Sequence, residues 1–436
     1  MERLHFRALL QNTQLWGLVA LVFLLPSNLF LTVSEYGALV HGLRVDYLIP
    51  KLYLTDVFIL GMLVAWCAEW YTTKRKKAAV KVDAPRQIAV VATVCLVVLF
   101  VAAQLVVSTR PVSTLWFMLK LLEFSVFFGW LTRHSALLRH SFVKLAFLSM
   151  LVFQSLLGVL QFSWQRSVFP SYLWLGETRL QHYAGISKGA FGGAERILPY
   201  GTTAHPNILG GILAIGAVVC AALLLRGAEK QQRWLIALCF ILSITVLLLT
   251  QSFSGMLTMI LGLLMMWMRQ QKKSLSPRGF TWLVAAMVVG IPMLLQLISV
   301  HTSLASITRR TWLNQAALEL FAGLPLTGVG LNTFAAHVEK VMPTTEVIRF
   351  VQPVHHVPLL ILSEVGAVGI VLVGMCLWVW WRVGGFAALR KNWRGLSVIV
   401  VPFLPLLTLD HYLWTNQVGM LLWMIGGYML YKTLRT

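Results

Sequence analysis

GTTAHPNILGGILAIGAVVCAALLLR, residues 201–226, decides the fold class of this chain. Behind the triplet His205-Pro206-Asn207 the sequence runs without a charge to Arg226. That is roughly 20 residues, the length an α-helix needs to cross a bilayer. Pro206 suits the first helical turn, which makes His205 a candidate cap. Asn207 follows it, with a capacity for hydrogen bonding or ion coordination.

The same pattern recurs along all 436 residues, of which 58% are hydrophobic and 12% charged. Soluble domains carry about 25% charged residues, and none could bury this much apolar surface. The fold class is all-α: a polytopic membrane helical bundle of about 12 transmembrane helices. The spans fall near 15–33, 48–70, 87–107, 111–132, 141–163, 202–225, 234–250, 253–269, 279–300, 355–381, 396–413 and 414–431. The first has a short charged start and no small-residue cleavage site behind it, so it is expected to be retained. QSFSG at 251–255 must form a tight turn.

Charge orients the bundle. Basic clusters at 74–77, 226–233, 269–278 and 382–394 sit in alternate short loops, which the positive-inside rule places in the cytoplasm with both termini. The net charge of +21 is then a topology signal and an attraction to anionic membrane lipids. No basic soluble module presents it to nucleic acid. Two outer loops are long, and long connections in compact proteins are usually functional. The chain divides into N-terminal transmembrane helices (1–163), a first outer loop (164–201), central helices (202–300), a second outer loop (301–354) and C-terminal helices (355–436). The five cysteines lie apart in apolar spans and read as small hydrophobes rather than as disulfides or metal ligands.

Within the second loop, RRTWLNQAALELFAGLPLTGVGLNTF at 309–334 carries a helix signal. Trp312, Leu313, Ala316, Ala317, Leu320 and Phe321 form one apolar stripe, and Gly323 and Pro325 stop it. At about 12 residues it is too short to span and is expected to lie in the interface plane as an amphipathic helix. Arg309 and Arg310 open it. Two readings have equal weight: the guanidiniums snorkel to lipid headgroups, or they grip a phosphate through their forked donors.

HHVPLLILSEVGAVG follows at 355–369. His355 and His356 begin the tenth span, and a neutral imidazole there can act as general base. Adjacent helical residues point about 100° apart, so one of the pair faces a given cavity. Glu364 is out of phase with His355 and reads as a hydrogen-bonded intramembrane carboxylate. Gly366 and Gly369 suit close helix contact. Asp410 and His411 lie level with the histidine pair, where Asp410 can orient an imidazole, pair with an arginine, or be structural. Lys120 and Glu123 share a turn and most simply neutralise each other.

These three blocks, in this order and each at the outer membrane face, resemble the O-antigen ligase and O-antigen polymerase superfamily of GT-C type membrane glycosyltransferases. The resemblance covers about residues 180–415. It implies a glycan donor on undecaprenyl pyrophosphate and a lipid-linked acceptor, lipid A–core or a growing glycan. It implies inverting transfer without a metal or other cofactor, in the bacterial cytoplasmic (inner) membrane, with the site facing the periplasm or exterior. By resemblance His355 inherits the role of the base and His356 that of its neighbour, while Arg309 and the adjacent Arg310 hold the pyrophosphate. The family arginine expected at position 198 is absent, since Leu198 stands there. Arg196 is the nearest substitute, with Lys188 and Arg179 as further candidates. Asp410, His411, His205 and Asn207 would support this set.

The donor's two phosphates call for clustered guanidiniums, and the outer loops hold no acidic pair of the kind that carries a metal. Three functions remain: ligase, polymerase, and, from another class, a transporter or flippase of lipid-linked glycan. Transporters usually show internal repeats and broken helices at the midplane, and no convincing repeat is present. Both inherited motifs read most like ligase domains.

Overall fold

The computed structural model describes residues 2–74, 84–181, 185–226, 230–301, 305–342, 351–382 and 393–435. Basic residues 75–77 and 383–392 and the loop stretch 343–350 lie outside the described residues. The chain is an integral membrane protein, and its described residues form helices with three small two-stranded sheets. Among the described residues, seven helices are long and apolar enough to cross a membrane by length and composition. The count of twelve is a proposal from charge and hydropathy.

The central helix, α6 (Pro206–Leu225, following α1 Glu2–Phe23, α2 Leu54–Lys74, α3 Ala84–Val107, α4 Pro111–Arg133 and α5 Ser141–Trp164), is the one read first from sequence. It is the most deeply buried apolar span. It packs on α7 (Lys230–Leu249), α8 (Phe253–Gln270) and α5. Its glycines let neighbours approach: a Cβ on Gly211 would collide with the Tyr412 hydroxyl. By contrast, the apolar run Pro277–His301 (α9 Pro277–Ala285, a π-turn and α10 Ile291–His301) has no buried residue in its span window, so its apolar faces are available to lipid.

Several sequence expectations change. The first span, expected at 15–33, ends at Phe23. Beyond Pro26 the chain is stitched to the first outer loop, with Asn28 N donating to Thr202 O (3.0 Å) and Ser27 Oγ to Leu175 O (2.8 Å). Strand β1 (Phe30–Thr32) then pairs antiparallel with β4 (Lys51–Tyr53), around the small hairpin β2 (Leu39–Val40) and β3 (Leu43–Arg44). The second span therefore begins at Leu54 rather than 48, and residues 24–53 form a third long connection.

The helix in the second outer loop, α11 (Ala305–Gly323), has 19 residues rather than about 12. Its stripe is as expected: Leu313, Ala316, Ala317 and Leu320 are buried against Val329, Phe334 and Val338. The last two belong to α12 (Phe334–Val341). Arg309 and Arg310 thus sit one turn inside the helix.

Near the C-terminus, the expected spans 396–413 and 414–431 are interrupted. α14 (Trp393–Thr408, with Pro402 and Pro405 inside it) stops before Asp410. A single turn, α15 (Tyr412–Thr415), leads to Asn416, whose side chain caps α16 (Gln417–Leu421). A π-turn then continues into α17 (Gly427–Arg435).

Between these elements lies α13 (Val357–Arg382), broken at Gly366 with φ 62° and ψ −172°. Only glycine adopts that conformation without strain. The PLTGVG segment fills the break. Val329 N donates to Ser363 O (3.0 Å), Gly330 N to Glu364 O (2.9 Å), Ala367 N to Pro325 O (2.8 Å) and Val368 N to Leu326 O (3.0 Å). The freed backbone groups are satisfied from within the protein, as a low-dielectric setting requires. Gly366 therefore admits a loop rather than a helix. Glu364 accepts from Phe334 N (3.1 Å), the hydrogen-bonded role expected of it.

Lys120 is corrected as well. Its ammonium pairs first with the wholly buried Asp56 of α2 and only then with Glu123, at 3.2 Å. Gln417 donates to the other Asp56 oxygen. Among the cysteines Cys220 and Cys239 are buried, whereas Cys67 and Cys95 are exposed on helix faces; all five are free thiols.

Candidate active site

His205, His355 and His411 lie outside the helices, on connecting segments that converge at one end of the bundle. His205 is placed by a turn that α5 holds from below. Gln161 Oε1 accepts from Tyr200 N (2.9 Å) and Gly201 N (2.8 Å), and Gln154 Oε1 accepts from Thr202 N (2.9 Å). The His205 ring then caps α6, with Nδ1 accepting from Asn207 N at 3.1 Å, as its place before Pro206 suggested. Its Nε2 lies 2.9 Å from Ser187 Oγ.

His355 stands one residue before His356 and α13. Its ring meets that of His411 edge-on, centroids 4.9 Å apart at 78°. Its Nδ1 is buried with no hydrogen-bond partner among the described residues. His356 is 1% exposed, and its Nδ1 accepts from Leu359 N at 3.2 Å, which makes it a helix cap. The adjacent pair therefore divides its work: His355 faces the cluster and His356 starts the helix.

On the far side, Asp410 accepts from Asn207 Nδ2 (2.9 Å) and from Ser254 Oγ, tying the segment after α14 to α6 and α8. Of the three open expectations for this carboxylate, direct pairing with an imidazole is not what these bonds show. Its neighbour His411 bonds Thr415 Oγ1 through Nδ1 (2.7 Å) and meets Tyr47 edge-on at 5.2 Å.

Positive charge dominates the electrostatics. Burial pushes His355 well below its ordinary value, with the neighbouring His411, Arg310, His205 and Arg309 adding in the same direction. Burial, then His205 and Arg310, take His411 down to about 3. His205 opens to water on one side and is crowded by protein on the others; burial and then Arg310 lower it too. Burial raises Asp410, against the opposing pull of Arg310 and its two hydrogen bonds. Arg310 thus acts on all three imidazoles and on Asp410. Its Nε is buried without a hydrogen-bond partner among the described residues. Arg309 acts on His355. Three neutral rings beside guanidinium charge make a receptive place for an anion.

The first outer loop folds into a hairpin, β5 (Lys188–Phe191) with β6 (Ala194–Ile197), turning at Gly192-Gly193, both at positive φ. Lys188 pairs with Glu195 at 3.0 Å, and the Arg196 guanidinium lies over the Phe162 ring. Those contacts hold both cations on the hairpin and α5. Arg179 is exposed on the same loop, and Leu198, at the position of the missing arginine, is buried. The loop reaches the cluster through Ser187.

Sequence reasoning missed Tyr47, Thr415, Ser187 and Ser254. Tyr47 is held by Asn332 Nδ2, which donates to its carbonyl (3.2 Å). Its phenol is pushed up to about 12 by burial and then by Asp46 and Asp410. Tyr47 and Thr415 also line an adjoining cavity of about 80 Å³ with Lys51, Trp116, Lys120 and Asn332. The only signal was the polar and aromatic string RVDYLIPK at 44–51, whose second half falls in the expected span 48–70. Among the described residues no group of three or more His, Cys, Asp or Glu is placed to hold a metal.

The described residues thus form a helical membrane bundle with a histidine cluster in the field of two arginines at one end. Residues 238–374 match the family model described as O-antigen ligase, a match that supports assignment to the O-antigen ligase and polymerase superfamily. The matched third of the chain contains Arg309, Arg310, His355 and His356; His205, Asn207, Asp410 and His411 lie outside it. No curated protein matches the chain.

Proposed function

We propose that the protein transfers a glycan from undecaprenyl pyrophosphate to a hydroxyl of a lipid-linked acceptor, at the periplasmic or outer face of the bacterial inner membrane. The observation that carries this reading is the approach of His355, with its unpartnered buried Nδ1, to His411 within the field of Arg309 and Arg310. In the proposed reaction the acceptor oxygen attacks the anomeric carbon from the face opposite the leaving group. The hydroxyl proton passes to neutral His355, the bond from the anomeric carbon to the pyrophosphate oxygen breaks, and undecaprenyl pyrophosphate departs. Configuration inverts. Arg309 and Arg310 hold the diphosphate before and after the step, so that the charge developing on the leaving oxygen meets preorganised donors. No metal is required.

The same charges make His355 wait for its substrate. Free of donor, it is neutral but a weak base, because burial and four cationic or titratable neighbours oppose its protonation. A bound diphosphate offsets the arginines and moves the ring upward, toward the range where general bases work best. Asp410, Asn207 and His205 fix the three connections around it. Arg196, Lys188 and Arg179 are proposed to meet the donor from the first outer loop.

Ligase and polymerase share this chemistry and differ in acceptor; we favour ligase, on its motifs. A transporter would leave the donor unchanged, and the α13 break is filled by the protein's own loop rather than open to a path. Deleting the gene separates the three. Loss of surface glycan from its lipid anchor is the ligase result, and anchored single repeat units are the polymerase result. Donor accumulating only on the cytoplasmic leaflet would overturn the enzyme reading.

A further inference from the structure

At the opposite end of α6 from His205 lies a second cavity, of about 220 Å³. Arg139 and Lys144 at the start of α5, Arg226 at the end of α6 and Lys432 on α17 line it. Arg139 and Arg269, at the end of α8, act electrostatically on Arg226, so like charge is concentrated there. The remaining wall is apolar and includes Phe147, Leu223 and Met429. A helix of 20 residues is about 30 Å long, the thickness of the hydrocarbon core. The two ends of α6 therefore sit at opposite membrane faces, and the basic loops place this end in the cytoplasm.

We propose that this cavity binds an anionic phospholipid of the cytoplasmic leaflet, its phosphate among the four basic side chains and its acyl chains along the apolar wall. Charge alone would suit any phosphate. The combination of cations above and hydrocarbon below suits an amphiphile, and a basic pocket between transmembrane helices on the cytoplasmic side is where anionic headgroups are recognised. The lipid would lie against three elements, α5, α6 and α17. This proposal is independent of the glycosyl-transfer reading, since it concerns the other membrane face.

Positive-inside topology by itself also places basic residues here, so the test compares positions on one face. The purified full-length protein is stripped with detergent and examined by native mass spectrometry and thermal unfolding, with phosphatidylglycerol, phosphatidylcholine or inorganic phosphate added. The expected result is retention of phosphatidylglycerol and a rise in unfolding temperature with that lipid alone. R139Q/K144Q should lose most of that retention and the thermal response, and Lys432→Gln alone should weaken both. K272Q/K273Q/R278Q, on the same face but outside the cavity, should keep them. Equal responses to phosphatidylglycerol and phosphatidylcholine in the wild-type protein would overturn the proposal whatever the variants do. So would a response to phosphate alone, or equal loss in both sets of variants.

Discussion

Replacing Arg310 should separate two consequences of one charge. The guanidinium acts on His205, His355, His411 and Asp410 together, and its Nε is buried without a hydrogen-bond partner among the described residues. If it holds the donor's diphosphate, Arg310→Lys keeps the charge and loses the fork. One charge-assisted hydrogen bond contributes about 1.5–3 kcal/mol, so donor affinity should fall roughly tenfold to a hundredfold. Arg310→Gln loses both and should fall further. It should also relieve the field on His355, so the acid limb of the kcat/KM profile moves to higher pH in Arg310→Gln and stays near the wild-type position in Arg310→Lys. The assay is transfer from a lipid-pyrophosphate donor over a range of pH, with donor affinity measured separately. A wild-type donor affinity in Arg310→Gln would refute the clamp. An affinity loss without movement of the acid limb would refute the coupling between Arg310 and the base.

His355→Ala should lower transfer by about 10²–10⁴-fold while donor still binds; His356→Ala should cost chiefly the cap of α13, about 0.5–2 kcal/mol of stability, and the reverse ranking would move the base to His356. Because His355 and His411 lie below 6.5 in the fold and return to about 6.5 when unfolded, the unfolded chain binds more protons in that window. Stability should therefore rise with pH up to about 6.5 and fall as acid is added below it; a flat or opposite melting profile between pH 4.5 and 7 would contradict this. Gly366→Ala should destabilise by about 3 kcal/mol or more, since it adds left-handed strain and sets a Cβ 2.5 Å from the Leu326 carbonyl oxygen; a melting temperature near wild type would show that the loop does not need the break.

The sequence carried the local detail of the site better than its long-range contacts. His205 as a cap, the buried stripe of α11, the hydrogen-bonded Glu364 and the single cluster-facing histidine of the 355–356 pair all follow from helical geometry and cap chemistry, which act over a few residues. What was hidden depends on contacts across the fold. Asp56 neutralises Lys120 from 64 positions away, and nothing near Lys120 signals it. Tyr47 reaches His411 because residues 24–53 form a long connection with strands, where apolar content alone suggested spans at 15–33 and 48–70. Gly366 carried a hint in its residue type, but a glycine in an apolar run fits close helix packing as well as a break. Only the pairing with 325–330 decides between them. Arg309 and Arg310 show the same limit: spacing put both at the helix start, and only the tertiary arrangement brings the charge of Arg310 to bear on three rings.

The central claim is that Arg310, Arg309 and His355 move a glycan off a lipid pyrophosphate. The most direct test is to incubate the purified protein in lipid with an undecaprenyl-pyrophosphate-linked glycan and a lipid-linked acceptor, with chelator present, and to follow free undecaprenyl pyrophosphate. The account predicts release in step with acceptor glycosylation, inversion at the anomeric carbon, and loss of both in His355→Ala. Glycosylation without release of undecaprenyl pyrophosphate, dependence on added Mg²⁺, or full turnover in His355→Ala would contradict it.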